Sequence, residues 1–291
     1  MSISSTLRFL VTHPLAKRNL PAAFIRFAQW QISTRLNPRP VVWPFVGTTQ
    51  FYAWKGLTGV TGNIYTGLHE FEDMAFLLHF LRADDLFADI GANVGSYTIL
   101  AAGVCGSHTF TVEPLPDTFK ILSDNIDLNQ LSQKVVLCNI GIGAASGVLP
   151  FTRSLDTMNH VAAANDADSL IIPVQTLDEA IPRTPQLIKI DVEGFEMAVL
   201  RGADKTLSSP DLKAIIIEIN RSSERYGHTP DEVHRLLKGY DFQAYAYEPF
   251  SRILTSLDSP ATQNTIYLRD IEFTRKRIES ASKIKLLGQA F

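Results

Sequence analysis

"LFADIGANVGSYTILAA", Leu86 to Ala102, is an apolar strand that stops at an acid, turns through two glycines and restarts as a small-residue helix. Glycine allows positive φ and lets a ligand touch the backbone, so Gly91 and Gly95 mark a turn cleared of side chains. Crevices at the carboxyl ends of parallel strands bind ligands. The dinucleotide fingerprint G-x-G-x-x-G fails here, because its third and sixth positions hold Asn93 and Ser96; the spacing is G-x-x-x-G. Asp89 adds charge to the argument. A pyrophosphate wants N–H groups and the positive end of a helix, and a carboxylate beside it repels. A ligand carrying an ammonium and a sulfonium is attracted instead, and S-adenosyl-L-methionine is such a ligand. Glu113 ends the next strand, "TFTVEP", where a carboxylate accepts hydrogen bonds from both ribose hydroxyls. Read separately, Asp89 is a helix N-cap and Glu113 a surface acid. Two acids on successive strand ends of one sheet favour a ligand.

Outward from that turn, apolar strands alternate with helices. Strands are expected at 86–90, 109–113, 135–139, 186–190 and 213–219, with later ones near 242–247 and 264–268. The alternation predicts an α/β fold, a Rossmann-like and mostly parallel sheet covered on both faces, with the last two strands as an antiparallel edge hairpin. The methyl-donor domain is expected over 83–270. It is interrupted near 146–178 by "GVLPFTRSLDTMNH" and "SLIIPVQTL", a β-rich insertion with a loop between. Residues 1–82 read as a basic arm and a small α/β region, and 271–291 as a solvated helical tail. "EFEDMAFLLHFLRADD" gives a helix with Phe71, Met74, Ala75, Leu78 and Leu81 on one side. Residues 41–66 read as β hairpins.

Composition bounds the function. The 291 residues are 45% hydrophobic and 20% charged, enough to build a core. No apolar run reaches the roughly 18 residues of a membrane span, and the start lacks the pattern of a secretory signal. Cys105 and Cys138 are the only cysteines, so a reducing, cytoplasmic setting is expected and a cysteine zinc site lacks ligands. The net charge of −3 hides an asymmetry: residues 1–69 carry seven Lys and Arg and no acid, leaving −10 on the remainder. "PAAFIRFAQWQISTRL" reads as an amphipathic helix with Pro21 near its start. Its readings are packing on the main domain, peripheral contact with a membrane surface, or organelle targeting. The acidic body, without an aromatic and basic groove, argues against nucleic-acid methylation.

As a set and in order, "DIGANVGSYTIL", "EPLPDTFKILSDNIDLN", "VQTLDEAI", "LIKIDVEGFEMAVLRGA" and "AIIIEIN" resemble the FkbM family of class I, S-adenosylmethionine-dependent methyltransferases, over roughly residues 65–220. The resemblance implies methyl transfer, often to a hydroxyl of a sugar, glycan or natural product. It implies that Asp89, Gly91, Asn93, Gly95 and Ser96 line the methionine half of the cofactor, Glu113 the ribose, and that Tyr97 closes the pocket. Glu70 is a second cofactor candidate, although a helix-start acid is the favoured reading.

In class I methyltransferases the fourth strand end faces the transferred methyl, which singles out Asp191 and Glu193 as proton acceptors for the acceptor oxygen. Glu196 reads as a cap for the following helix. His160, in the insertion beside Asn159, is the other candidate base. Glu218 and Asn220 end the fifth strand and are candidates for the acceptor pocket. The acids can take a hard cation, but nothing in their spacing fixes ligand geometry, so no metal is predicted. The alternatives are a nicotinamide-dependent oxidoreductase and a non-catalytic binding protein anchored by its arm.

Overall fold

A computed structural model describes residues 3–153, 158–162, 168–261 and 263–291. The arm opens with α1 (Ile3–Thr12) and α2 (Leu20–Leu36), whose start is capped by the Asn19 side chain accepting from the Ala22 N–H. β1 (Val41–Pro44) and β2 (Gln50–Ala53) pair antiparallel, and α3 (Thr58–Thr66) and α4 (Phe71–Phe80) follow. Next come β3 (Leu86–Ile90), α5 (Ser96–Ile99), β4 (His108–Val112), α6 (Pro116–Leu128) and β5 (Val135–Cys138). A second sheet is made by β6 (Gly141–Ile142), β7 (Gly147–Thr152) and β8 (Ser169–Gln175), in the order β6-β8-β7. The chain returns through α7 (Leu177–Ala180), β9 (Leu187–Ile190), α8 (Glu196–Arg201), α9 (Asp204–Ser208), β10 (Ala214–Glu218) and α10 (Pro230–Gly239). It ends with β11 (Gln243–Glu248), β12 (Ile253–Ser256), β13 (Asn264–Leu268), α11 (Ile271–Ser280) and the short pair β14 (Lys285–Leu286) and β15 (Gln289–Ala290).

The main sheet has eight strands in the order β12-β11-β13-β10-β9-β3-β4-β5. β5, β4, β3, β9 and β10 are mutually parallel, as continuous apolar runs buried on both faces require. The chain winds outward from β3 to β5, then returns to β9 on the other side of β3. That reversal opens a crevice at the carboxyl ends of β3 and β9. Side chains alternate between two cores. Phe87 faces the arm, α4 and α6, whereas Ala88 and Ile90 face α8 and α10.

Three expectations change. β13 lies between β10 and β11, and the edge hairpin is β11 with β12. β13 buries Ile266, Tyr267 and Leu268, while β12 has an exposed face, so the more apolar strand takes the interior. Residues 58–66 are the helix α3, despite a composition rich in Thr and Gly. Thr61 and Thr66 donate back to the carbonyls of Leu57 and Gly62, and most of the helix is buried, so packing overrides propensity. The tail is not merely solvated: Thr274, Ile278 and Phe291 are buried, and Arg277 pairs with Asp85.

Candidate active site

The crevice is a cavity of about 290 Å³, near the lower end of small-molecule sites at roughly 300–1,000 Å³. Its floor is the turn after β3. Gly91 has φ 81° and its N–H donates to the Val112 carbonyl at 3.0 Å, tying the turn to the end of β4. Asn93 is also left-handed, at φ 51°, and its side chain accepts from the Val94 N–H. Glu113 takes the Asn93 N–H on one oxygen and the Leu115 N–H on the other, each at 3.0 Å. It is almost wholly buried, and burial pushes its pKa up to about 8. Gly91, Asn93, Ser96, Tyr97 and Glu113 all line the cavity. Gly95, at φ 92°, precedes α5 and packs against Leu122.

Asp89 departs from its expected position. It is 1% exposed and does not line the cavity. One oxygen accepts the Thr98 hydroxyl at 2.7 Å, and the other has no hydrogen-bond partner. Burial raises its pKa, opposed by the charge of Lys189, its neighbour in register on β9. Asp89 is thus tied to Thr98 of α5 beneath the turn rather than placed in the cavity.

Lys189 was not singled out from the sequence. It is 4% exposed, donates to Asp191 at 2.8 Å, and lies 4.7 Å from the centre of the Tyr97 ring. Burial opposes its charge, but Asp191, Glu70 and Asp89 together outweigh that and raise its pKa. The signal was available: a lysine in the run "LIKI" of a fully buried strand needs partners. Glu70 also departs from the favoured reading. It makes no side-chain cap at the start of α4. Instead it lines the cavity, accepting the Tyr97 hydroxyl at 2.8 Å and the Asn264 amide at 2.9 Å.

Asp191, Glu193 and Glu218 also line the cavity, with one carboxylate oxygen of each within 4.8 Å of the others. That span suits a hard cation as well as a shared proton, and acid groups of this kind are common without an ion. Burial first, then the neighbouring carboxylates, push Glu193 up to about 7 and Glu218 up to about 8. Glu196 does not cap the following helix as expected: it is buried at the start of α8 and accepts the Gly194 N–H of the preceding turn at 3.0 Å. His160 does not line the cavity, although Asn159 does. Its ring Nδ1 lies 2.9 Å from the Met158 carbonyl, and its backbone N–H donates to the Thr152 hydroxyl at 3.0 Å, at the edge of the second sheet. Among the described residues it therefore stands beside the cavity lining rather than in it. Asp156 and Thr157 of "DTMNH" lie outside the described residues.

The arm supplies a wall that no sequence motif announced. Thr58, Gly59, Asn63 and His69 line the cavity, and Asn63 donates to the Ser96 hydroxyl at 3.1 Å. A Cβ on Gly59 would stand 2.7 Å from the Asn93 side chain, so α3 closes directly on the turn.

Residues 89–244, more than half of the chain, match the methyltransferase FkbM domain, and the chain belongs to that family. A hexuronic acid methyltransferase, AglP, of Haloferax volcanii is 30% identical over 165 residues, covering 55% of this chain and 64% of that protein. Methyltransferase 1 of Beauveria bassiana is 27% identical over 147 residues, covering 42% and 59%. The chain thus spans less than two thirds of the curated relatives it matches. A crystal structure of an FkbM methyltransferase from Methylobacillus flagellatus aligns over 72% of this chain and 52% of that one, with 18% identity and a TM-score of 0.46. Membership of a methyltransferase family leaves the nicotinamide and non-catalytic alternatives without support.

Proposed function

We propose that the chain transfers a methyl group from S-adenosyl-L-methionine to a hydroxyl oxygen of a sugar, glycan or natural-product acceptor. One observation carries the reading: a cavity at the sheet's reversal point is lined by the glycine turn, by Glu113 and by three clustered carboxylates. The residues present fit the donor. Gly91, Asn93, Ser96 and Glu70 would hold its aminoacyl half, with Asp89 and Lys189 beneath them, and Glu113 its ribose. When bound, the donor supplies a methyl group on a positively charged sulfur. The chain's own part is to hold the acceptor oxygen in line and take its proton. Asp191 is committed to Lys189, so Glu193 and Glu218 are the better bases near neutral pH.

The same acids select the acceptor. A hydroxyl beside them gives up its proton to whichever is ionised, and where they are ionised an acceptor carboxylate is repelled. The Haloferax relative is named for a hexuronic acid, which brings acidic as well as neutral sugars into the set of candidates.

Calorimetry tests the donor. S-adenosylhomocysteine is expected to bind with a micromolar Kd and NADH not at all; the reverse would overturn the reading. Tritiated methyl transfer then compares methyl glucopyranoside with methyl glucuronoside. Above pH 8, where Glu193 and Glu218 are ionised, the neutral sugar is expected to react about tenfold faster. A preference for the uronate would reject proton-accepting carboxylates.

A further inference from the structure

We propose that the outer face of α2, together with α1, docks on a membrane surface of anionic lipid. α2 is apolar on two opposite sides. Ala23, Trp30 and Thr34 are buried, with Trp30 edge-on to Trp43 of β1. At about 3.6 residues per turn the opposite side carries Ile25, Ile32 and Leu36, which are 56%, 58% and 82% exposed. Phe24 flanks that row, and α1 adds Leu7 and Val11, one turn apart and also exposed. A helix that only packs on its own domain turns polar residues outward.

The exposure is concentrated. Seven of the twelve exposed large apolar side chains among the described residues lie before residue 43, so this is a property of the arm rather than of the surface at large. Charge identifies the occupant. Arg8, Lys17, Arg35 and Arg39 are exposed on the same segment, and no acid occurs before Glu70. Long basic chains reach the head groups while the apolar row enters the acyl boundary. Anionic lipid attracts such a segment, and its acid-free composition offers no opposing repulsion. No helix among the described residues is long and apolar enough to cross a membrane, so the contact fitted here lies on the surface.

Vesicle sedimentation of the full chain tests this. The protein is expected to sediment with phosphatidylcholine vesicles containing phosphatidylglycerol, and about tenfold less with phosphatidylcholine alone or at high salt. The triple variant Ile25→Ser, Ile32→Ser, Leu36→Ser is expected to lose sedimentation with its melting temperature changed by only a few degrees, because more than half of each side chain is already in water. Lack of binding to the anionic vesicles would overturn the proposal. Equal binding by the triple variant would do the same. So would a dimer in analytical centrifugation that the triple variant dissolves, since the face would then belong to a second copy of the chain.

Discussion

Gly91→Ala is expected to abolish measurable S-adenosylhomocysteine binding. The Cβ would stand 1.9 Å from the Asp191 carbonyl oxygen, at a residue whose φ is 81°. Neither group can yield, because the Asp191 N–H donates to the Ile90 carbonyl at 3.0 Å and Gly91 is tied to Val112. Left-handed strain adds about 1–3 kcal/mol and the overlap a similar amount, so a loss of roughly 3–5 kcal/mol in stability is expected. The control is Gly47→Ala. Gly47 has φ 63°, yet no atom lies within 4 Å of the Cβ it would gain. It should lose only the strain and bind the ligand normally. Chemical denaturation with calorimetry on both variants reads the difference. Equal behaviour would mean that the close approach of β3 and β9 does not shape the site.

Lys189→Met is the second large effect. Removing one partner of a buried ion pair costs about 3–5 kcal/mol, because the other charge stays behind. Here the charge left deepest is Asp89, with an oxygen already lacking a partner. Adding Asp89→Asn removes that charge, so the double variant is expected to regain most of the lost stability. Turnover should not return with it. Asp191 loses its only ion-pair partner among the described residues and is no longer fixed at the acceptor end. A displacement near 1 Å lowers kcat about 100-fold. The cycle is read by denaturation and by methyl transfer. Recovery of both stability and turnover in the double variant would reduce Lys189 to a structural role.

The parts of this protein legible in its sequence are those fixed by local physics. The parallel strands declare themselves as short apolar runs between helices, because a strand buried on both faces has no polar face to show. The turn at Gly91 and Gly95 is visible because left-handed backbone selects glycine. Asp191, Glu193 and Glu218 could be named because strand ends of a parallel sheet gather at one edge.

What depends on contacts distant in sequence could be decided only by the tertiary structure. Asp89 and Glu113 look alike as acids near strand ends, yet one is buried within the layer and the other lines the cavity, a difference of a few ångströms in where the strand stops. His160 carries the right chemistry but is absent from the cavity lining, its ring Nδ1 beside the Met158 carbonyl and its backbone N–H on Thr152. The wall from α3 was hidden because its Thr and Gly residues have poor helix propensity and are held by packing against the turn. Lys189 gained meaning only when Asp89, Glu70 and Asp191, from three separate segments, were brought around one ammonium. Sequence determined which groups are available and which strands share an edge. Tertiary packing decided which of them meet, because burial and charge act through space and not along the chain.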